Sequence, residues 1–109
     1  MKLEYLGKGL VASDGQIRGN VFNLESSATP PCEAYVLVAK YTQPELVKYM
    51  RQALAIVTEV GGILSHAAVV SRELNIPCIV GVQNITQSAK SLDTICADMD
   101  SGEVFRCSD

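Results

Sequence analysis

Three short, uninterrupted apolar runs, Ala34–Ala39, Ala55–Thr58 and Cys78–Val82, are separated by two helix-sized intervals, and this alternation limits the possible folds more than any other feature of the chain. Each run is rich in β-branched residues and lacks the apolar–polar alternation of a half-exposed strand, so each predicts a strand buried on both faces. The first interval opens on Thr42-Gln43-Pro44-Glu45, which fits a capping box with Pro44 near the helix start, and Leu46, Met50 and Leu54 then recur at helical spacing. The second predicts a helix from Ser65 to Leu74, with Ala67, Val70 and Leu74 on one face and Asn75-Ile76-Pro77 as its stop. Strand, helix, strand, helix, strand implies a parallel sheet with crossover helices.

Outside this block the signals are weaker. Gly7, Gly9, Gly15 and Gly19 punctuate an opening segment of short strands whose topology the pattern leaves open. Thr94–Asp98 and Glu103–Arg106, around Asp100-Ser101-Gly102, predict a closing hairpin. The expected architecture is an α/β domain with an additional antiparallel β layer. With 109 residues there is room for a single domain spanning 1–109 and one core.

Charge and cysteine usage narrow the function classes. A net charge of -3, from 9 basic and 12 acidic residues, gives no electrostatic footprint for nucleic acid or an anionic membrane. No apolar stretch has the length of a membrane span and no secretory signal is visible, so a soluble, cytoplasmic chain is expected. Cys32, Cys78, Cys96 and Cys107 form no C-x-x-C pair and lie far in sequence from His66, the single histidine, which disfavours a metal site. Four reduced thiols are the expectation, with Cys78 and Cys96 buried as small hydrophobes.

The chemistry-bearing segment is Gly61-Gly62 followed by Ser65-His66 at a helix start, beyond the carboxyl end of a predicted parallel strand, where open α/β sheets place ligands. The free amides and positive dipole end favour an anion, and glycines let a phosphate approach the backbone closely. The same helix end disfavours an imidazolium, which keeps a lone pair on His66 available for attack and would stabilise the charge of a phosphorylated ring. A lone histidine at a helix start is otherwise a capping or packing residue. Thr58 is equally an ordinary strand residue, Ser65 a helix N-cap and Arg72 a solvated helix residue. Arg72 follows His66 by six positions and does not share its stripe, so it could meet this phosphate by wrapping around, or a partner's.

The stretch Thr58 to Gly81 reads T-x-x-G-G-x-x-S-H-A-A-x-x-x-R-E-L-x-I-P-x-x-x-G without a gap. It closely resembles the phosphohistidine signature of the PEP-utilising enzymes' mobile domain, a family that includes pyruvate phosphate dikinase, PEP synthase and Enzyme I of the sugar phosphotransferase system. Leu37-Val38 with Thr42 and Pro44, Gly15 with Gly19, and Asp93, Asp98 and Gly102 extend the likeness over nearly the whole chain. One departure is visible: Asp14 stands where the family has proline in a Ser-Pro-Gly turn, which puts the rigidity of that turn in question.

The resemblance implies the swivelling β/β/α three-layer fold: a parallel sheet with helices on one side and a further β layer. It implies that His66 is phosphorylated on the nitrogen remote from the backbone. Thr58 would orient the imidazole, Gly61, Gly62 and Ser65 would shape the phosphate pocket, and Arg72 would assist transfer. It further implies that this domain binds no cofactor or metal itself, with Mg²⁺ and ATP or PEP held by partner domains. Those partners are an ATP-grasp nucleotide-binding domain and a PEP/pyruvate-binding barrel, in cis or in trans. The chain would then be a phosphotransferase component and not a complete enzyme. Two alternatives remain open: a non-catalytic phosphate-binding or regulatory module of the same fold, and a hydrolase with His66 as general base, for which no nucleophile–carboxylate arrangement is recognisable.

Overall fold

A computed structural model describes residues 2–108 as a mixed α/β fold with one many-stranded sheet and few helices. Eight strands, β1 (Lys2–Lys8), β2 (Leu10–Ser13), β3 (Arg18–Asn23), β4 (Tyr35–Ala39), β5 (Ala53–Thr58), β6 (Cys78–Val80), β7 (Thr94–Asp98) and β8 (Glu103–Ser108), run in the order β1-β8-β7-β3-β4-β5-β6-β2. The helices are α1 (Val47–Gln52), entered through a 3-10 turn at Pro44–Leu46, α2 (His66–Leu74) and the single-turn α3 (Ile85–Ser88).

The pairs β4–β5 and β5–β6 are parallel, as the three apolar runs predict, and β3, from the opening segment, adds a third parallel pair with β4. Their side chains sort alternately into two cores. Phe22, Tyr35, Leu37, Ile56, Cys78 and Val80 pack under α1 and α2 with Met50, Ala67 and Ala68. Val21, Val36, Val38, Ala55, Val57 and Ile79 face the other way, onto Ile85, Ile95 and Val104. A strand with both faces covered has apolar neighbours on each side, which is why these runs lack alternation and admit polar side chains only at their ends, as at Asn23 and Thr58.

The antiparallel strands are hydrogen-bonded onto this same sheet and do not stand apart from it. β3 makes the join: Val21–Asn23 pair in parallel with β4, while Arg18–Asn20 pair antiparallel with β7, which leads on to β8 and β1. β2 closes the other edge, antiparallel to β6. Because β1 and β2 are consecutive in the chain yet terminate opposite ends of the strand order, the sheet curls back on itself. Gly9 sits at that closure, where a Cβ would collide with the Val80 carbonyl oxygen.

Three local expectations are corrected. Leu54 is not on a helix: the register slips so that Tyr35 pairs with Ala53 and Val36 with Ala55, leaving Leu54 as the extra, exposed residue of a bulge in β5. The capping box does not form, since Gln43 is the residue ahead of the 3-10 turn and makes no side-chain cap. The thiols are not all free: Cys96 and Cys107, on paired strands β7 and β8 with Cα atoms 6.6 Å apart, are in disulfide contact, while Cys32 and Cys78 are free. Cys78 is fully buried, whereas Cys96 is only partly covered. The Asp14 departure is accommodated locally, with its carboxylate accepting the Gly15 N–H at 2.8 Å and the Pro77 ring lying against Gly15, whose φ is +144°.

Candidate functional site

Two neighbouring strands, β4 and β5, deliver the site at their carboxyl ends. After β5 the chain is tied down on both sides: Glu59 N–H donates to the Ala39 carbonyl at 3.0 Å, Val60 N–H to Lys40 at 2.9 Å, and Val82 N–H to the Thr58 carbonyl at 3.0 Å. The Glu59 carboxylate accepts from the Thr86 hydroxyl at 2.6 Å and from its amide at 3.2 Å, fastening the loop root to α3. Between these anchors and α2 runs the tip, Gly61 to Leu64.

Gly61 holds φ at +121°, a region that disfavours any side chain, and a Cβ there would press to 3.0 Å from the Ser65 hydroxyl. Ser65 is the N-cap of α2. Its hydroxyl donates to the Gly62 carbonyl at 2.7 Å and accepts from Ala68 N–H at 3.4 Å, and its own amide donates to Gly62 at 3.0 Å. Among the described residues, the amides of Gly61 to Leu64, His66 and Ala67 find no acceptor within the chain. They lie at and just ahead of the positive end of α2.

His66 is the first residue of α2 and partly exposed. Its Nδ1 lies 2.8 Å from the Thr42 hydroxyl, and Thr42 is only 7% exposed. This explains the missing helix cap: the Thr42 side chain, carried just beyond β4, is turned to the imidazole. In the tautomer with the proton on Nδ1, that nitrogen donates to the Thr42 hydroxyl and Nε2 keeps an in-plane lone pair, with no partner among the described residues.

Thr58, assigned the orienting role by resemblance, is fully buried, and its hydroxyl donates to the Val60 carbonyl at 3.0 Å, so it supports the loop root. Arg72 does not reach His66 either. Its Nη2 donates to the Ile63 carbonyl at 2.8 Å and its Nη1 to the Ala12 carbonyl of β2 at 3.2 Å. The structure therefore gathers Thr58, Gly61, Gly62, Ser65 and His66 into one loop and helix start, with Arg72 hydrogen-bonded to that loop at Ile63. Thr42 is the residue that sequence reasoning placed differently. The available signal was its Thr-x-Pro setting, which is also a helix-start pattern.

The loop ahead of His66 carries exposed apolar side chains, Val60, Ile63 and Leu64, the last 83% exposed. Among the described residues no three His, Cys, Asp or Glu side chains converge to hold a metal ion, and no helix is long and apolar enough to cross a membrane.

Comparison with known proteins gives a consistent result. The family model for "PEP-utilising enzyme, mobile domain" matches residues 31–102. The phosphoenolpyruvate synthase of Aeropyrum pernix is 40% identical over 94% of this chain, which spans 13% of that protein's length. A solution structure of Enzyme I superposes with a TM-score of 0.59 at 34% identity, covering 71% of this chain and 32% of that one. The aconitase X structure from Thermococcus kodakaraensis has a TM-score of 0.65 over 94% of this chain and 98% of its own, but at 17% identity it shows likeness of fold alone.

Proposed function

Given that this chain belongs to the PEP-utilising enzyme mobile-domain family, we propose that it is a phosphohistidine carrier that accepts a phosphoryl group on Nε2 of His66 and hands it to a second site. The observation that carries this reading is the Thr42–His66 hydrogen bond at 2.8 Å, which engages Nδ1 and leaves Nε2 uncommitted at a helix N-terminus.

The chemistry follows from that arrangement. The Nε2 lone pair attacks the donor phosphorus, the Nε2–P bond forms, and the P–O bond to the donor breaks with its electron pair leaving on oxygen. The Nδ1 proton stays on the ring, held by Thr42. The transferred oxygens meet the acceptor-free amides of the Gly61 to Leu64 tip and the α2 start, which supply preorganised donors. In the second half-reaction an acceptor oxygen attacks phosphorus and the pair returns to Nε2, restoring the neutral imidazole. A carrier needs little more, since phosphoryl transfer is governed by positioning and charge stabilisation.

Donor and acceptor chemistry belongs to other domains in this proposal. An ATP-grasp domain with ATP and Mg²⁺, and a PEP/pyruvate-binding barrel, stand at the two ends of the exchange, and the curled sheet with its helices is the swivelling β/β/α body between them. The exposed Val60, Ile63 and Leu64 would exclude water around His66 on docking.

Incubation with PEP, or with ATP and Mg²⁺, beside family partner domains, followed by intact mass measurement, tests the proposal. An acid-labile, base-stable phosphate is expected on the wild type and none on His66→Ala. Reversible binding of phosphate compounds at His66 with no adduct from any competent partner would replace the carrier with a phosphate-binding module.

A further inference from the structure

The geometry points to Arg72 as a positioning residue that braces the glycine loop presenting His66, by bridging the Ile63 carbonyl to strand β2 before any phosphoryl group arrives. The inference deepens the carrier reading and, for its rate component only, rests on it.

Arg72 lies in the last turn of α2, and a helical side chain leans toward the helix N-terminus. Its guanidinium therefore runs back along α2 to the loop that precedes it. There the planar fork donates one hydrogen bond to Ile63 at 2.8 Å and another to Ala12 at 3.2 Å, joining segments nine and sixty residues away in the chain. The tip needs such a tie. Gly61 and Gly62 carry no side chain to pack, a Cβ on Gly62 would have nothing within 4 Å, and Leu64 projects outward. The internal bonds, from Ser65 N–H and hydroxyl, both end on the Gly62 carbonyl. Among the described residues, the bond from Arg72 to Ile63 is thus the hydrogen bond that ties residues 61–64 to a strand, through the second bond to Ala12 of β2.

Placement around the helix argues the same way. Six residues beyond His66, at ~100° per residue, Arg72 emerges from a different face of α2 than the imidazole. A lysine cannot substitute, because a single ammonium at the end of a flexible stem does not reproduce a rigid fork spanning two carbonyls. This separates bracing from a simple charge effect, which lysine would keep.

The test uses Arg72→Lys and Arg72→Ala in the full chain. ¹⁵N relaxation of Gly61 to Ser65 in the unphosphorylated protein should show lower order parameters in both variants. Single-turnover phosphorylation of His66 by a competent partner should slow about tenfold or more in both, the scale expected when a reacting group is slightly misplaced. If the lysine variant keeps the wild-type rate while the alanine variant loses it, Arg72 acts through its charge and the bracing role is wrong. Unchanged loop order in both variants would overturn it equally. The relaxation measurement needs no partner domain, so it decides the bracing role even if the wild type refuses phosphate, the result that would instead sink the carrier reading.

Discussion

Two arginines tie together different segments of the molecule in different ways. Arg106, on β8, donates to the Glu4 carboxylate of β1 at 2.8 Å, to the Asp93 carboxylate at 3.1 Å and to the Ser88 carbonyl. Its charge is neutralised where the strands close. Arg72 donates only to two backbone carbonyls, and among the described residues no carboxylate pairs with it. Carbonyls fix its position, and its fork reaches the loop that leads into His66. The contrast separates an arginine that pairs with carboxylates across strands from one that spans two backbone carbonyls.

The largest effect that sharpens this contrast concerns the bed beneath α2. Burial pushes the Cys78 thiol up to about 11, against an ordinary 9.0. The folded state thus keeps the proton while the unfolded chain loses it above pH 9. Stability is intact below pH 9 and declines from there toward 11, by up to about 2–3 kcal/mol. Denaturant unfolding across this range should show the loss, and Cys78→Ala should flatten it. A steep alkaline loss that persists in Cys78→Ala would place the sensitivity elsewhere.

Arg106→Ala should cost about 1 kcal/mol of unfolding free energy, kept small because the pair with Glu4 is substantially solvent-exposed. It should leave the His66 phosphorylation rate unchanged. A slowed rate at wild-type loop order would show that the two regions are coupled and break the comparison.

Thr42→Val removes the imidazole's hydrogen bond with little change of shape. It should slow phosphorylation about tenfold, some 1.4 kcal/mol, while unfolding shifts by less. Because His66 is the single histidine, long-range ¹H–¹⁵N spectra read its tautomer directly, and a more mixed Nδ1/Nε2 population is expected. Thr42→Ser should restore both readouts. An unaltered tautomer in Thr42→Val would remove Thr42 from the mechanism.

Much of the fold and the site's location can be read from one dimension, because local rules and tertiary demands coincide there. The buried strands need continuous apolar runs, and Val36 to Ala39, Ile56 to Thr58 and Cys78 to Val80 supply them. α2 needs an N-cap and a stop, supplied by Ser65 and by Asn75, which takes the left-handed conformation. The family signature from Thr58 to Gly81 is likewise contiguous. What the sequence left undetermined is whatever two distant segments decide together. Leu54 fits a helical stripe by spacing, yet the pairing of β5 with β4 makes it a bulge. Thr42 fits a cap, yet a histidine 24 positions later takes its hydroxyl. Arg72 fits a solvated helix face or a phosphate ligand, yet Ala12 and Ile63 claim it. A side chain's local preference is worth about 1 kcal/mol, as is the hydrogen bond that diverts it. Only tertiary structure, by bringing the competing partner within reach, decides which is made.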